Sequence, residues 1–423
     1  MTALPGPLRL YRLATGLAEP FAPGLLRRRA RRGKEDPARL GERLGRASQP
    51  RPDGKLIWIH AASVGESLSH LPLVERFIRD RPDLHLLVTS GTRTSAELLA
   101  RRLPAGVIHQ FVPIDAPRAV RRFLDHWRPS LGLLIESELW PNLLFSARAH
   151  GVRLVLLGAR ISQKSARAWD RSPAAARAML GLFDLIYAQD DETRDWIQDQ
   201  GAEVTGKLDL KRAAGPLPHD AAALDGLKKA LDGRLVVVAA STHPGEEIMI
   251  AEAVRSLEPR PLLILAPRHP ERGPVVELAL NARGWRVARR ARGDAANADM
   301  DAYVADTLGE LGLFYRVADV VVVGGSLLEG LAGHNPLEPA RLAKPVIAGP
   351  HVDAFAEVYA ELVGRKAALM VKDDVELVSA LRALLSEPRV ARVLGRRGRE
   401  VCDAGRANFD EAWTSLEILC PPP

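Results

Sequence analysis

Cysteine is nearly missing: Cys402 and Cys420, both near the C-terminus, are the only two in 423 residues. That excludes a disulfide framework and a cysteine-built zinc site, and it fits a reducing, cytosolic compartment. No uninterrupted apolar run approaches the roughly 18 residues of an ordinary spanning helix. A Walker sequence, a Gly-x-Gly-x-x-Gly after a strand and a His-Glu-x-x-His are all missing. Triphosphate cleavage, nicotinamide redox chemistry and zinc hydrolysis lose their support with them. The eleven histidines show no metal-ligand spacing. There is no short-period repeat and no long low-complexity tract. What is present is an ordinary globular balance, 47% hydrophobic and 26% charged, which excludes wholesale disorder. The length predicts two domains.

The net charge of +7 is unevenly placed. Residues 1–46 hold eleven basic and four acidic side chains, and the remainder of the chain holds 48 of each. A neutral body argues against nucleic acid as a partner. In the arm, Leu10, Leu13, Leu17 and Phe21 recur at helical spacing until Pro20 and Pro23 interrupt the pattern, and the basic run Arg27–Lys34 follows. An apolar helix beside a polybasic cluster suits an anionic bilayer surface; it equally suits a helix packed on the body with a solvated tail. The reading adopted is peripheral attachment at a cytoplasmic membrane face.

From Lys55 onward, short apolar runs alternate with helix-length polar ones, the pattern of a parallel sheet covered on both faces. Strands are predicted at Leu56–Ala61, His85–Thr89, Val107–Val112, Leu131–Glu136, Arg153–Leu157, Leu185–Ala188 and Glu203–Thr205. The alternation pauses over Lys207–His219. It resumes at Leu235–Ala240, Pro261–Ala266, Trp285–Val287, Tyr303–Ala305, Val320–Val323, Pro345–Ile347 and Ala368–Val371. Three closing helices are predicted from about Asp374, Arg389 and Asn408. The expected domains are the arm at 1–46, one Rossmann-like domain at 47–210 and a second at 211–423. In such sheets ligands bind beyond the carboxyl ends of the strands.

Those ends carry the chemistry. The first strand runs into His60-Ala61-Ala62-Ser63-Val64-Gly65-Glu66, with a carboxylate where a helix starts; it could take a proton from a bound hydroxyl or simply favour the helix dipole. The fourth runs into Glu136-Ser137-Glu138, two carboxylates that share a face if the strand persists and diverge if a turn has begun. In the second half, Ser241-Thr242-His243 opens a helix and suits an anion. Pro267-Arg268 places a guanidinium at a strand end. Gly324-Gly325-Ser326 lets backbone approach a ligand. Asn335-Pro336-Leu337-Glu338 reads as a capped helix start with a carboxylate one turn in, suited to ribose hydroxyls.

Together these motifs resemble the 3-deoxy-D-manno-octulosonic acid (Kdo) transferases, in unbroken order from the arm to at least Ala354. The resemblance implies an α/β GT-B glycosyltransferase fold, two Rossmann-like doubly wound domains facing across a cleft. It implies transfer of Kdo from CMP-Kdo to the lipid A precursor at the cytoplasmic face of the bacterial inner membrane, with acceptor on the N-terminal domain and nucleotide on the C-terminal one. By motif, Glu66 matches the general base of an inverting reaction, and Glu136 a transition-state stabiliser. CMP contacts map onto Pro267, Arg268, Leu308, Gly309, Glu310, Asn335, Pro336, Leu337 and Glu338. Further nucleotide contacts are possible at Ser241, Thr242, Gly324, Gly325 and Ser326. No metal and no cofactor is implied. One departure stands out. Where the family has Gly-x-Leu-Lys, this chain has Gly206-Lys207-Leu208-Asp209-Leu210-Lys211, with Asp209 in the Lys position. Either Lys207 or Lys211 then supplies the cation, and Lys211 is preferred. Arg93 and Arg160 are candidates to meet acceptor phosphates. Another GT-B enzyme using a nucleoside-diphosphate sugar, or a silent membrane-bound scaffold, are the alternatives.

Overall fold

A computed structural model describes residues 4–62, 69–136, 138–297 and 299–422. The chain forms two compact units, Met1–Ala214 with Gly405–Pro423, and Gly215–Ala404.

The first unit is built on a seven-stranded sheet: β1 Leu56–Ala61, β2 His85–Ser90, β3 Ile108–Phe111, β4 Leu131–Ile135, β5 Arg153–Ala159, β6 Leu185–Ala188 and β7 Gly206–Lys207. Their order is β3-β2-β1-β4-β5-β6-β7, with every pairing parallel. β1 and β4 are buried along their whole lengths, because helices cover both faces of the sheet. The covering helices show why. In Pro117–Trp127, the buried Val120, Phe123, Leu124 and Trp127 fall on one 3.6-residue stripe. The strand expected at Glu203–Thr205 lies instead at Gly206–Lys207. Thr205 ends up supporting the β6 edge, its hydroxyl accepting from the Ile186 N–H at 3.1 Å.

The second unit repeats the plan with β8 Val236–Thr242, β9 Leu262–Pro267, β10 Val287–Arg289, β11 Ala302–Val304, β12 Val320–Val323, β13 Val346–Ala348 and β14 Ala368–Met370. The order is β10-β11-β9-β8-β12-β13-β14, again all parallel. This is the predicted fold class, α/β with two doubly wound Rossmann-like units. The closing helices differ from expectation: Asp374–Ser386 is followed by one 32-residue helix, Pro388–Leu419. Its glycines do not break it. A Cβ at Gly395 would stand 2.0 Å from the Ala343 carbonyl oxygen, and one at Gly405 would stand 2.5 Å from Arg212 Cβ, so both serve close packing. The end of this helix returns to the first unit, where Trp413 stands edge-on to Phe77 at 4.7 Å and Asp410 pairs with Arg76 at 2.8 Å. A boundary at 210/211 with everything beyond it in one domain therefore does not describe the contacts.

Pro20 and Pro23 do not end the arm's helical course. Helix Gly6–Ala18 passes through a short 3₁₀ turn, Glu19–Phe21, into helix Ala22–Arg31, and each proline sits in a first turn, where no N–H is needed. The arm is pinned by its acids. Buried Glu19 accepts from the Arg118 and Ala119 N–H groups (3.0 and 2.7 Å), capping helix Pro117–Trp127. Glu35 pairs with Arg29 and Arg43 (2.8 and 3.4 Å), and Glu42 takes the Phe111 N–H at 2.7 Å. Leu8 and Leu26 face inward, while Leu10, Leu13, Leu17, Phe21 and Leu25 are 59–78% exposed. The predicted apolar stripe is thus the outer face of a docked arm.

Candidate active site

The first sheet reverses its strand order between β1 and β4, the point where doubly wound folds bind ligands. Glu136 sits there, just past β4, with φ at +61°. That left-handed backbone is costly for a side chain with a Cβ, and such strain concentrates at functional positions. The turn it makes separates the two acids of the Glu136-Ser137-Glu138 run. The Glu136 carboxylate lies 3.5 Å from Lys211 Nζ, with Lys211 35% and Glu136 17% exposed. Asp209 caps the short helix Leu210–Ala213 by accepting from the Lys211 N–H at 3.0 Å, so the residue that broke the motif orients the one beside Glu136. Lys207 instead pairs with the exposed Asp191 at 3.4 Å. Gln189, at the end of β6, lines the same small hollow as Glu136, Asp209 and Lys211. Glu66 and Ser137 lie outside the described residues. Arg93 is exposed and pairs with Glu97 at 2.8 Å; Arg160 follows β5.

Glu138 turns the other way and is buried. His60, itself fully buried at the end of β1, donates from Nε2 to Glu138 Oε2 at 3.0 Å, and the Trp140 indole donates to the same oxygen. Burial alone would raise the Glu138 carboxyl; His60 and Trp140 outweigh it and hold the group below its usual range. On its far side, His60 Nδ1 meets the Thr89 hydroxyl at 2.9 Å, which also accepts from Trp58 Nε1 at 2.8 Å. His60 and Glu138 stand 78 positions apart in separate motifs, so neither motif signals the pairing.

The second sheet reverses between β8 and β12. Ser241 there also has a left-handed backbone, φ +58°. The dominant group is an acid outside the predicted contacts. Glu246 is wholly buried; it accepts from the N–H groups of His243 (2.9 Å), Gly325 (2.7 Å), Ser326 (3.0 Å) and Leu327 (3.0 Å). Its bond to His243, three residues earlier, spans the turn that opens helix Glu246–Arg255 and is the one local contact among the four. These bonds involve the Gly324-Gly325-Ser326 turn directly. The turn's amides are held inside the unit, Gly324's by the Ala240 carbonyl at 2.8 Å. The Ser326 hydroxyl is buried, donating to Val323 O and accepting from Gly349 N (2.6 and 2.8 Å). The glycines provide room: a Cβ on Gly325 would stand 2.8 Å from the His334 ring, and one on Gly324 would stand 2.8 Å from Ser241 O. Thr242 is fully buried and its hydroxyl has no partner among the described residues.

Around this turn gather His243, His269 and His334. His243 Nε2 and His334 Nε2 are 2.9 Å apart, so at least one ring must be neutral. His334 is pushed down to about 4, by burial first and then by the charges of His243, Arg268 and His269. Pro267 ends β9, and exposed Arg268 follows it, tied to β8 through its N–H and the Thr242 carbonyl at 2.9 Å. Asn335 accepts from the Leu337 N–H at 3.0 Å, the cap predicted for Pro336-Leu337. Glu338 lies near Tyr315, and burial raises its carboxyl against the opposing pull of Arg341. Leu308 is 81% exposed and Gly309 has φ +82°, so the loop before helix Leu311–Val317 offers an open surface. Glu310 is held by Arg290 at 3.0 and 2.6 Å, which lowers its carboxyl, so that acid is already neutralised.

Residues 38–212 match the family model described as 3-deoxy-D-manno-octulosonic-acid transferase (kdotransferase). A 3-deoxy-D-manno-octulosonic acid transferase of Haemophilus influenzae is 35% identical over 398 residues, 90% of this chain and 91% of that one. One from Rickettsia felis is 37% identical over 335 residues, 78% of this chain and 72% of that one. Among solved structures, UDP-GlcNAc 2-epimerase from Neisseria meningitidis, bound to UDP-GlcNAc, aligns at TM-score 0.53 and 12% identity, covering 86% of this chain and all of that one. MurG of Acinetobacter baumannii aligns at TM-score 0.52 and 11% identity, over 82% of this chain and 95% of that one. These likenesses support the fold.

Proposed function

The chain belongs to the 3-deoxy-D-manno-octulosonic acid (Kdo) transferase family, and on that footing we propose that it moves Kdo from CMP-Kdo onto a hydroxyl of the lipid A precursor, with inversion at the anomeric carbon and without a metal. The observation that carries the acceptor half is the Lys211–Glu136 pair at the switch point of the first sheet. Glu66 acts as the base, taking the proton of the acceptor hydroxyl as that oxygen attacks the anomeric carbon. CMP departs from the opposite face. Glu136 faces the oxocarbenium-like charge of the transition state, and Lys211 keeps that carboxylate in place.

The second unit holds the donor. Arg268 and the Leu308–Glu310 loop meet the phosphate, and Asn335 through Glu338 meet the ribose, the Glu338 carboxylate accepting from its hydroxyls. Ser241 supplies a strand-end hydroxyl beside them. The arm attaches the enzyme to the cytoplasmic face of the inner membrane through its exposed leucines and arginines, and no helix among the described residues is long and apolar enough to cross a membrane.

The test is an endpoint transfer assay. Purified protein, lipid A precursor and CMP-Kdo generated in place are mixed, and the lipid product is weighed by mass spectrometry beside Glu66→Gln. The expected result is a gain of whole Kdo masses in the wild type that vanishes in the variant. No gain from a protein whose melting temperature CMP raises would reject the acceptor. No response to CMP at all would reject the donor.

A further inference from the structure

Between the docked arm and the body of the first unit lies a cavity of about 640 Å³, within the range of small-ligand sites, roughly 300–1,000 Å³. Its walls are mostly carbon. Phe21, Ala22 and Leu25 come from the arm; Val112 and Ile114 come from the segment after β3. Phe21 and Leu25 are also 78% and 59% exposed, so this wall continues the outward apolar stripe. Ala62 and Glu138 also line it, as do Glu19, Arg43 and Asp115, each held by hydrogen bonds within the unit. Ala62 is the last described residue before the 63–68 segment that contains Glu66. Glu138 is already hydrogen-bonded by His60 and Trp140.

We propose that this cavity is a slot for one acyl chain of the membrane-borne acceptor, opening on the exposed stripe of the arm and lined also by Ala62 and Glu138. The inference rests on the lipid-acceptor reading above. Three features select the occupant. Carbon walls do not repay the desolvation of a sugar's hydroxyls, whereas a hydrocarbon chain has none to lose. One wall is continuous with the surface that would touch the bilayer, so a chain enters without crossing water. Exposed Arg27 and Arg28, at the next turn of the same helix, complement an anionic lipid headgroup.

The test narrows the slot in the full-length protein with Ala22→Leu and Ala22→Trp. Transfer is measured onto the acylated precursor and onto the same acceptor stripped of its chains. The expected result is a graded rise in KM for the acylated acceptor, reaching about tenfold in Ala22→Trp, with the chain-free acceptor used as well as by wild type. Retained transfer to the chain-free acceptor shows that the variant is folded. The proposal is overturned if both acceptors lose equally, if neither changes, or if wild type shows no preference for the acylated one. Wild type that transfers to neither acceptor would instead sink the functional reading on which the proposal stands.

Discussion

Lys207 and Lys211 stand four positions apart, and their partners separate them. Lys207 meets an exposed aspartate; Lys211 meets Glu136 at the carboxyl end of the sheet. Replacing Lys211 by Ala should lower the transfer rate about a hundredfold, the loss typical of one charged or hydrogen-bonding group at a transition state. Lys207→Ala should leave it within about twofold, since exposed pairs contribute little. Single-turnover rates with CMP-Kdo read both, and equal losses would contradict the assignment. From the sequence, the family resemblance singled out Glu136 and brought the choice down to two lysines. It could not choose between them, because the choice depends on where the β7 turn aims each side chain. Glu246 stayed without a role for a similar reason: three of the amides it satisfies lie 79–81 positions away.

Elements with long apolar runs were legible. β1, β4, β8 and β12 fall where their buried runs predict, since a strand covered on both faces needs continuous hydrophobicity. Edges and helix joins were not. β7 pairs with one neighbour only, so little in its own composition marks it. The arm shows how a join is made: Glu19 caps a helix that starts about a hundred residues later. Glu19→Ala should cost about 1–2 kcal/mol, the usual loss of a helix cap with its charge at the dipole. Urea denaturation measures that loss, and proteolysis at Arg27–Arg32 should quicken as the arm loosens. Unchanged stability and proteolysis would mean that the arm's docking does not depend on this cap.

At the scale of the molecule, charge is segregated. Docking consumes three of the arm's four acids, Glu19, Glu35 and Glu42, and leaves Arg9, Arg12, Arg27, Arg28, Arg31 and Arg32 exposed beside the apolar stripe. The protein should sediment with liposomes containing anionic lipid and be partly released by salt, since each basic residue near such a surface contributes about 1 kcal/mol at ordinary ionic strength. Deleting residues 1–34, or reversing Arg27, Arg28, Arg31 and Arg32 to Glu, should abolish sedimentation. Sedimentation unchanged in both variants would sink the membrane role of the arm.

The amino-acid order by itself determined the fold class, the central strands of both sheets, the basic arm and the motifs that mark the family. These properties are local: burial on two faces writes continuous apolar runs, and a turn or cap writes its small and polar residues beside them. Only the tertiary structure decided that Lys211 joins Glu136, that His60 holds Glu138, that Glu246 occupies the amides of the Gly-Gly-Ser turn, and that the arm closes a cavity over the body. Each of these is a contact between residues far apart along the chain. Their meeting is set by strand order and helix packing, which no local pattern encodes.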